Sequence, residues 1–288
     1  MLGSGRGGGV SDMSLDKRGP HQAGIAMAAF NIEQIFIYPV KSLGGMAIPE
    51  ARITESGSLV GDREWIVTRP DGRLLWQGDI PRMTLLSARL EGGILILRGH
   101  DGSSGPKPRD ALGPYVTVQQ DGYHLSGVDQ GDQVADWLTD QLGSACRLVR
   151  VGIEAHRWAG LNPIHVVSTV SLTALNARLA AIGEAAVEME RFRPNVVLSG
   201  THSAFAEEMA AQLQFGEASL SLREPCVRCE LPNISLKDAT RGKQPLKLIG
   251  NMSRERPAAR PASFGTYCTA HGNSLRVGMS TRFTNGSP

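Results

Sequence analysis

The segment Pro225-Cys226-Val227-Arg228-Cys229 carries the sharpest chemical signal in the sequence. A thiolate is a soft donor suited to zinc, iron or molybdenum, and an adjacent arginine favours the ionised form of a cysteine. The same C-x-x-C spacing is also compatible with two small buried hydrophobes at a strand end. Further along, Cys268-Thr269-Ala270-His271 offers a second pair. Together Cys226, Cys229, Cys268 and His271 make C-x-x-C…C-x-x-H, a set of donor types that tetrahedral zinc accepts. The remaining candidates are basic residues in turn-like contexts: Lys41-Ser42 after Pro39, Arg63 in Gly61-Asp62-Arg63, and Arg193 in Arg191-Phe192-Arg193-Pro194-Asn195. Arginine forks suit bidentate capture of phosphate and lysine acts as a point charge, although an isolated basic residue in a loop is usually just solvated. Spacing along the chain does not bring these residues together; only a fold could.

The elements that would position them are short. Ile35-Phe36-Ile37-Tyr38 ends at Pro39, which cannot donate to a sheet ladder. Trp65-Ile66-Val67, the turn Arg69-Pro70-Asp71-Gly72 and Leu74-Leu75-Trp76 read as a hairpin. Ile94-Leu95-Ile96-Leu97 is another strand, and so many short strands with frequent turns predict a β-barrel-like first half. At Asp132 the period changes: Val134, Trp137, Leu138 and Leu142 share one helical face, and Gly143 is placed to end it. A second helix is expected from Ser171, with Leu172, Leu175, Leu179 and Ile182 on one face, and a weaker third over 203–213. Strands at Val196-Val197-Leu198 and Leu220/Leu222 lie among them, so the class is α+β, mainly β. Residues 254–263 read as a loop, and His165 as a packing histidine.

Composition narrows the function. Hydrophobic residues make up 41% and charged residues 20% of 288, with 30 basic against 28 acidic side chains and a net charge of +2. This balance gives no basis for nucleic acid as the main partner, and 5% aromatics leaves little for base stacking. Four cysteines in so long a chain are not a secreted disulfide framework. No apolar run approaches the roughly 20 residues that span a bilayer, and the Gly- and Ser-rich residues 1–27 look like a disordered leader without a signal peptide's hydrophobic stretch. The expected compartment is the cytoplasm. No G-x-x-x-x-G-K-[ST] occurs, no G-x-G-x-x-G lies between strand and helix, and no G-x-S-x-G elbow is present.

Taken in order, these motifs resemble a known family. Ile37-Tyr38-Pro39-Val40-Lys41-Ser42 followed by Gly61-Asp62-Arg63-Glu64-Trp65 resembles the N-terminal β-barrel domain that accompanies MOSC domains. Arg191-Phe192-Arg193-Pro194-Asn195, the Cys226/Cys229 segment and Phe264-Gly265-Thr266-Tyr267 resemble the MOSC domain itself. The resemblance implies a leader over 1–27, a MOSC N-terminal β-barrel domain over 28–150, and a MOSC barrel with peripheral helices over 151–288. It implies a molybdenum–molybdopterin cofactor with Cys229 as the metal ligand and catalytic centre. Lys41, Ser42, Arg63, Arg193, Asn195, Arg228 and Tyr267 would hold or line that cofactor. The best-known relatives are amidoxime-reducing components and bacterial proteins that detoxify N-hydroxylated bases, so reduction of a small N-oxygenated substrate is expected.

The sequence also departs from that pattern. Val227 stands where relatives often carry serine, Leu161-Asn162-Pro163 replaces a hydroxyl-rich pair, and Glu230-Leu231-Pro232-Asn233 replaces a Thr-Thr-x-Asp-like run. No four-cysteine cluster follows the MOSC-like segment, which implies a separate ferredoxin- or cytochrome-type electron donor. Two other readings stand beside the reductase: a sulfur or cofactor carrier with a persulfide on Cys229, and the zinc module of Cys226, Cys229, Cys268 and His271. Pyridoxal phosphate enters only at the family level, through cofactor sulfurases whose pyridoxal-dependent part this chain is too short to include. Cys226 and Cys146 are expected to be buried and unreactive.

Overall fold

A computed structural model of the chain describes residues 28–107, 113–120, 122–152, 163–257 and 260–283. The leader expected over 1–27, and Leu161 and Asn162, lie outside the described residues. In chain order the first half carries β1 (Ala28–Ile37), β2 (Met46–Ile48), β3 (Glu50–Arg52), β4 (Trp65–Thr68), β5 (Ser87–Glu91), β6 (Ile94–Arg98), β7 (Tyr115–Gln120), β8 (Tyr123–Asp129), α1 (Asp132–Leu142) and β9 (Arg147–Arg150). The second half carries β10 (Ile164–Ser168), α2 (Thr169–Ala180), β11 (Val196–Gly200), β12 (Gln212–Phe215), β13 (Ala218–Val227), α3 (Leu246–Ser253), β14 (Ser263–His271), β15 (Ser274–Arg276) and β16 (Ser280–Phe283). The fold is strand-rich α+β, as the patterning predicts.

The largest sheet runs β12-β13-β14-β10-β11-β1-β16, with β2 also on β1. It therefore draws strands from both sides of residue 150. Strand alternation gives this sheet two apolar faces. Ile35, Ile37, Val166, Val196 and Leu198 enter one core, while their neighbours Phe36, Tyr38, Val167 and Val197 enter the other, beneath α2 and α3. A second sheet, β4-β9-β8-β7, and the β5-β6 hairpin belong to the first half. There α1 buries Val134, Leu138 and Leu142 against Leu43, Trp65 and Leu97. Gly143 ends α1 with φ 68°, its N–H donating to Thr139 O at 2.8 Å, as a left-handed helix terminus requires.

Three expectations change. The Leu74-Leu75-Trp76 arm makes only a short bridge, with Leu75 N–H donating to Val67 O; the long partner of β4 is β9, which lies far away in sequence. Residues 203–213 do not form a helix: a single 3-10 turn at Ala206–Glu208 leads straight into β12. The cause is tertiary. The carboxylate of Glu207 is buried, accepting from Ser168 N–H at 3.2 Å and the Ser171 hydroxyl at 2.7 Å, so it caps the start of α2 and overrides local helix propensity. The 254–263 stretch is preceded by an unanticipated helix, α3, which is eight residues long and contains Gly250, too short for periodicity to reveal.

Where β14 passes β10, Gly265 has φ 74°, and a Cβ there would sit 2.4 Å from Val166 O and 2.7 Å from His165 Nε2. Gly265→Ala should lower the urea midpoint by about 1–3 kcal/mol of stability, since both the strained φ and the clash oppose it. An unchanged midpoint would show that this crossing is not closely packed.

Candidate functional site

Three turns at the C-terminal edge of β1 and its neighbours supply the basic residues. The first, Val40 to Leu43, follows β1 once Pro39 stops it; Leu43 N–H donates to Val40 O at 3.3 Å, and Ser42 takes φ 72°. The second carries Arg63 at φ 54°, its N–H donating to Tyr38 O at 2.8 Å, while Tyr38 N–H donates to Asp62 Oδ1 at 2.8 Å. The third is the 3-10 turn Met189–Phe192, which ends in Arg193 at φ 52°. Left-handed backbone at a non-glycine residue is uncommon and carries a cost, and it concentrates where function fixes a side chain's direction. Here it marks Ser42, Arg63 and Arg193 together.

The side chains converge on Tyr38. Its ring lies 4.2 Å from the Arg193 guanidinium and 5.1 Å from that of Arg63, both within cation–π range. Arg193 Nη1 donates to Leu43 O at 2.6 Å, and Arg63 Nη1 donates to Asp62 Oδ2 and, at 3.2 Å, to Asn195 Oδ1. Burial, with the charges of Arg63 and Arg228 adding to it, pushes Arg193 down to about 10. Burial likewise raises the Tyr38 phenol above its usual range, against the pull of the two arginines. Arg193 Nη2, Arg228 Nε and the Tyr38 hydroxyl are buried with no hydrogen-bond partner among the described residues. Unpaired buried donors cost about 1–3 kcal/mol each, more when charged, so this constellation fits an anionic group that accepts from them.

The sulfur side of the site follows β13. Cys229 is exposed, immediately after Arg228, whose backbone N–H donates to Ala262 O at 2.9 Å. The Arg228 fork turns inward: Nη1 donates to Cys226 Sγ at 2.8 Å and Nη2 to Phe192 O at 3.0 Å. Its charge interacts with Cys226 and Tyr267 first and with Cys229, its neighbour in sequence, after them. Tyr267, half-buried on β14, feels both Arg228 and Arg63, and burial raises its phenol. His165 Nε2 lies 3.0 Å from Phe264 O, and Nδ1 lies 3.5 Å from Arg228 Nη1. Nδ1 also lies 3.1 Å from Phe192 O, so the single N–H of a neutral imidazole serves one of two backbone carbonyls. Burial first, then Arg228, holds the imidazole down to about 3.

The structure thus gathers Arg63, Arg193, Arg228 and Tyr267, with Lys41 and Ser42 in the adjoining turn and Cys229 exposed directly after Arg228. Asn195 is fully buried and engaged by protein: Oδ1 accepts from Arg63 and from His165 N–H, and Nδ2 donates to Phe36 O at 3.2 Å. It orients Arg63 from beneath. Cys226 and Cys146 are buried, as expected. Asp62, Tyr38 and His165 belong to the site, yet no chemical role for them was legible in the sequence; the signal for Asp62 was its place between Gly61 and Arg63. The proposed zinc set is not brought together. Cys268 sits in the apolar core, opposite Leu222, and His271 pairs with Ser219, about seven residues and so roughly 20 Å along the strand from Cys226. Among the described residues no group of three or more His, Cys, Asp or Glu is placed to hold a metal ion.

Comparison with known proteins agrees with this geometry. The MOSC N-terminal beta barrel domain matches residues 29–145 and the MOSC domain matches residues 155–281. The chain belongs to the MOSC-domain family. Mitochondrial amidoxime reducing component 2 of Rattus norvegicus is 29% identical over 282 residues, covering 86% of this chain and 81% of that protein. Mitochondrial amidoxime-reducing component 1 of Homo sapiens is 29% identical, covering 80% and 74%. A molybdenum cofactor sulfurase of Oryza sativa is 28% identical over 80% of this chain but only 32% of its own length. Among the described residues of this MOSC protein, no helix is long and apolar enough to cross a membrane.

The buried imidazole makes the MOSC fold acid-sensitive. The native chain keeps His165 neutral down to about 3, whereas an unfolded histidine protonates near 6.5. Its contribution is complete above about pH 6.5 and is lost as pH falls toward 3, because the unfolded state takes up the proton first. Urea midpoints should decline across that window, and His165→Asn should be less stable near neutrality yet show a shallower decline. An equally steep decline in the variant would contradict the assignment.

Proposed function

We propose that the chain is a molybdenum-cofactor-dependent reductase of small N-hydroxylated compounds, with Cys229 as the protein ligand to the metal. The observation that carries this reading is the set of unpaired buried donors on Arg193 and Arg228 beside an exposed thiol, within a MOSC domain. The names of relatives, amidoxime-reducing component and molybdenum cofactor sulfurase, support a role tied to this cofactor.

Each residue has a task in this reading. Arg63, Arg193 and Arg228 neutralise the cofactor's anionic groups, with Lys41 and Ser42 reaching the same edge from the first turn. Asn195 and Asp62 hold Arg63 in direction, and Tyr267 lines the site. Cys229 offers its exposed sulfur as the metal ligand. When bound, the cofactor supplies two-electron oxygen-abstraction chemistry, and the protein supplies binding, orientation and electrostatics. The opening at Cys229 and its exposed neighbour Val227 is where substrate arrives. Overall, an N–O bond is cleaved, an N–H bond forms, and two electrons and two protons leave one water. The electrons come from a separate ferredoxin- or cytochrome-type protein.

Purified protein loaded with cofactor, with a reduced viologen as donor, should convert benzamidoxime to benzamidine, and Cys229→Ser should abolish turnover. No turnover at full molybdenum occupancy would overturn the reductase reading. An extra sulfur on Cys229 in metal-free protein, seen by mass spectrometry, would favour the carrier reading instead. Arg193→Met should speed cofactor release roughly tenfold without lowering the stability of the apo chain, because it removes one of three crowded cations. Unchanged release would show that Arg193 does not hold the cofactor.

A further inference from the structure

Cys226 was expected to be an inert packing residue, and its surroundings differ from those of the other buried cysteines. Cys268 lies in an apolar core, where burial alone raises its thiol pKa. Cys146 packs beneath α1 with a lone hydroxyl contact to Thr139. Cys226, with no exposed surface, accepts from the Arg228 guanidinium at 2.8 Å, and the Tyr267 phenol is raised by burial first and by this sulfur second. Its own S–H points toward Val227 O at 3.8 Å. One sulfur therefore holds a side chain that the proposed site uses.

The consequence lies in the geometry of the guanidinium. Arg228 Nη2 is held by Phe192 O at 3.0 Å, Nη1 by Cys226, and the ring of Phe192 lies 5.9 Å from its central carbon. A guanidinium is planar, so fixing both Nη nitrogens also fixes where Nε–H points. That Nε–H is the buried donor left without a partner. Without the sulfur, Nη1 would keep only its long 3.5 Å approach to His165 Nδ1, and the fork would be held firmly at Nη2 alone. A residue present only for packing needs volume and apolarity; this one supplies an acceptor at a defined place.

We infer that Cys226 is a positioning residue, whose sulfur fixes Arg228 in the orientation that receives the cofactor. The inference rests on the cofactor reading above, and it assigns Cys226 neither metal ligation nor a redox step.

The test compares parent, Cys226→Ala and Cys226→Ser. Each is purified from cells that make the cofactor, then assayed for molybdenum per chain, for the rate of cofactor release on dilution, and for thermal midpoint. Cys226→Ala should release the cofactor roughly tenfold faster, in the range typical of residues that orient metal-site groups, at a near-parent thermal midpoint. Serine, which keeps an acceptor at the same position, should restore most of the retention. Parent-like retention in Cys226→Ala overturns the inference, as does a loss that tracks a lowered midpoint and is not rescued by serine. A parent that carries no molybdenum overturns the cofactor reading itself, and this inference with it; a loaded parent with an unaffected alanine variant overturns the inference alone.

Discussion

Positive charge crowded into a buried space is the constraint around which this molecule is organised. Arg63, Arg193 and Arg228 interact electrostatically, two of them against the face of the same tyrosine. Like charges held close together repel more strongly the less water lies between them. Asp62 offsets part of this at Arg63, and burial makes the remainder felt at Arg193, whose pKa falls to about 10. Such an arrangement is unfavourable by itself and favourable around an anion. The chain tolerates it because the backbone and core hold the arginines in place regardless.

How they are held explains much of the fold. β1 enters the sheet of the second half between β11 and β16, so the turns that follow it arrive beside the turn that precedes β11. Asn195, at that junction, ties β1, β10 and Arg63 together with three hydrogen bonds and no exposed surface. On the far side, β14 presents Phe264 O to His165, and Ala262 just before it presents its carbonyl to the Arg228 N–H. The start of β14 is fastened in turn by Arg256, which reaches Glu208 through two hydrogen bonds and Ser263 O at 2.8 Å. The rigid parts are thus strand edges and short turns, which suit a site whose groups must not collapse onto one another.

The sequence made part of this legible. Apolar spacing located α1 and α2, Gly143 located the end of α1, and the ordered motif series pointed to the basic residues and to Cys229. What it could not supply was convergence: Arg63 and Arg193 meet only through β1 pairing with β11, and long-range pairing leaves no local periodicity. The missing helix at 203–213 shows the opposite failure, a weak local helical pattern overridden by one buried carboxylate at Glu207. Cys226 was legible as buried but not as an acceptor for Arg228, because Arg228 is two positions away on a strand end and its side chain folds back. Asp62 and His165 escaped for a similar reason, since their partners come from other turns.

The central claim is that these guanidinia surround an anionic metallopterin ligated by Cys229. Elemental analysis for molybdenum, phosphorus and zinc, on protein purified without added metal, bears on it most directly. The account predicts close to one molybdenum per chain accompanied by phosphorus, with the molybdenum lost in Cys229→Ser. Stoichiometric zinc in its place, or molybdenum that is retained equally when Cys229 is replaced, would contradict it.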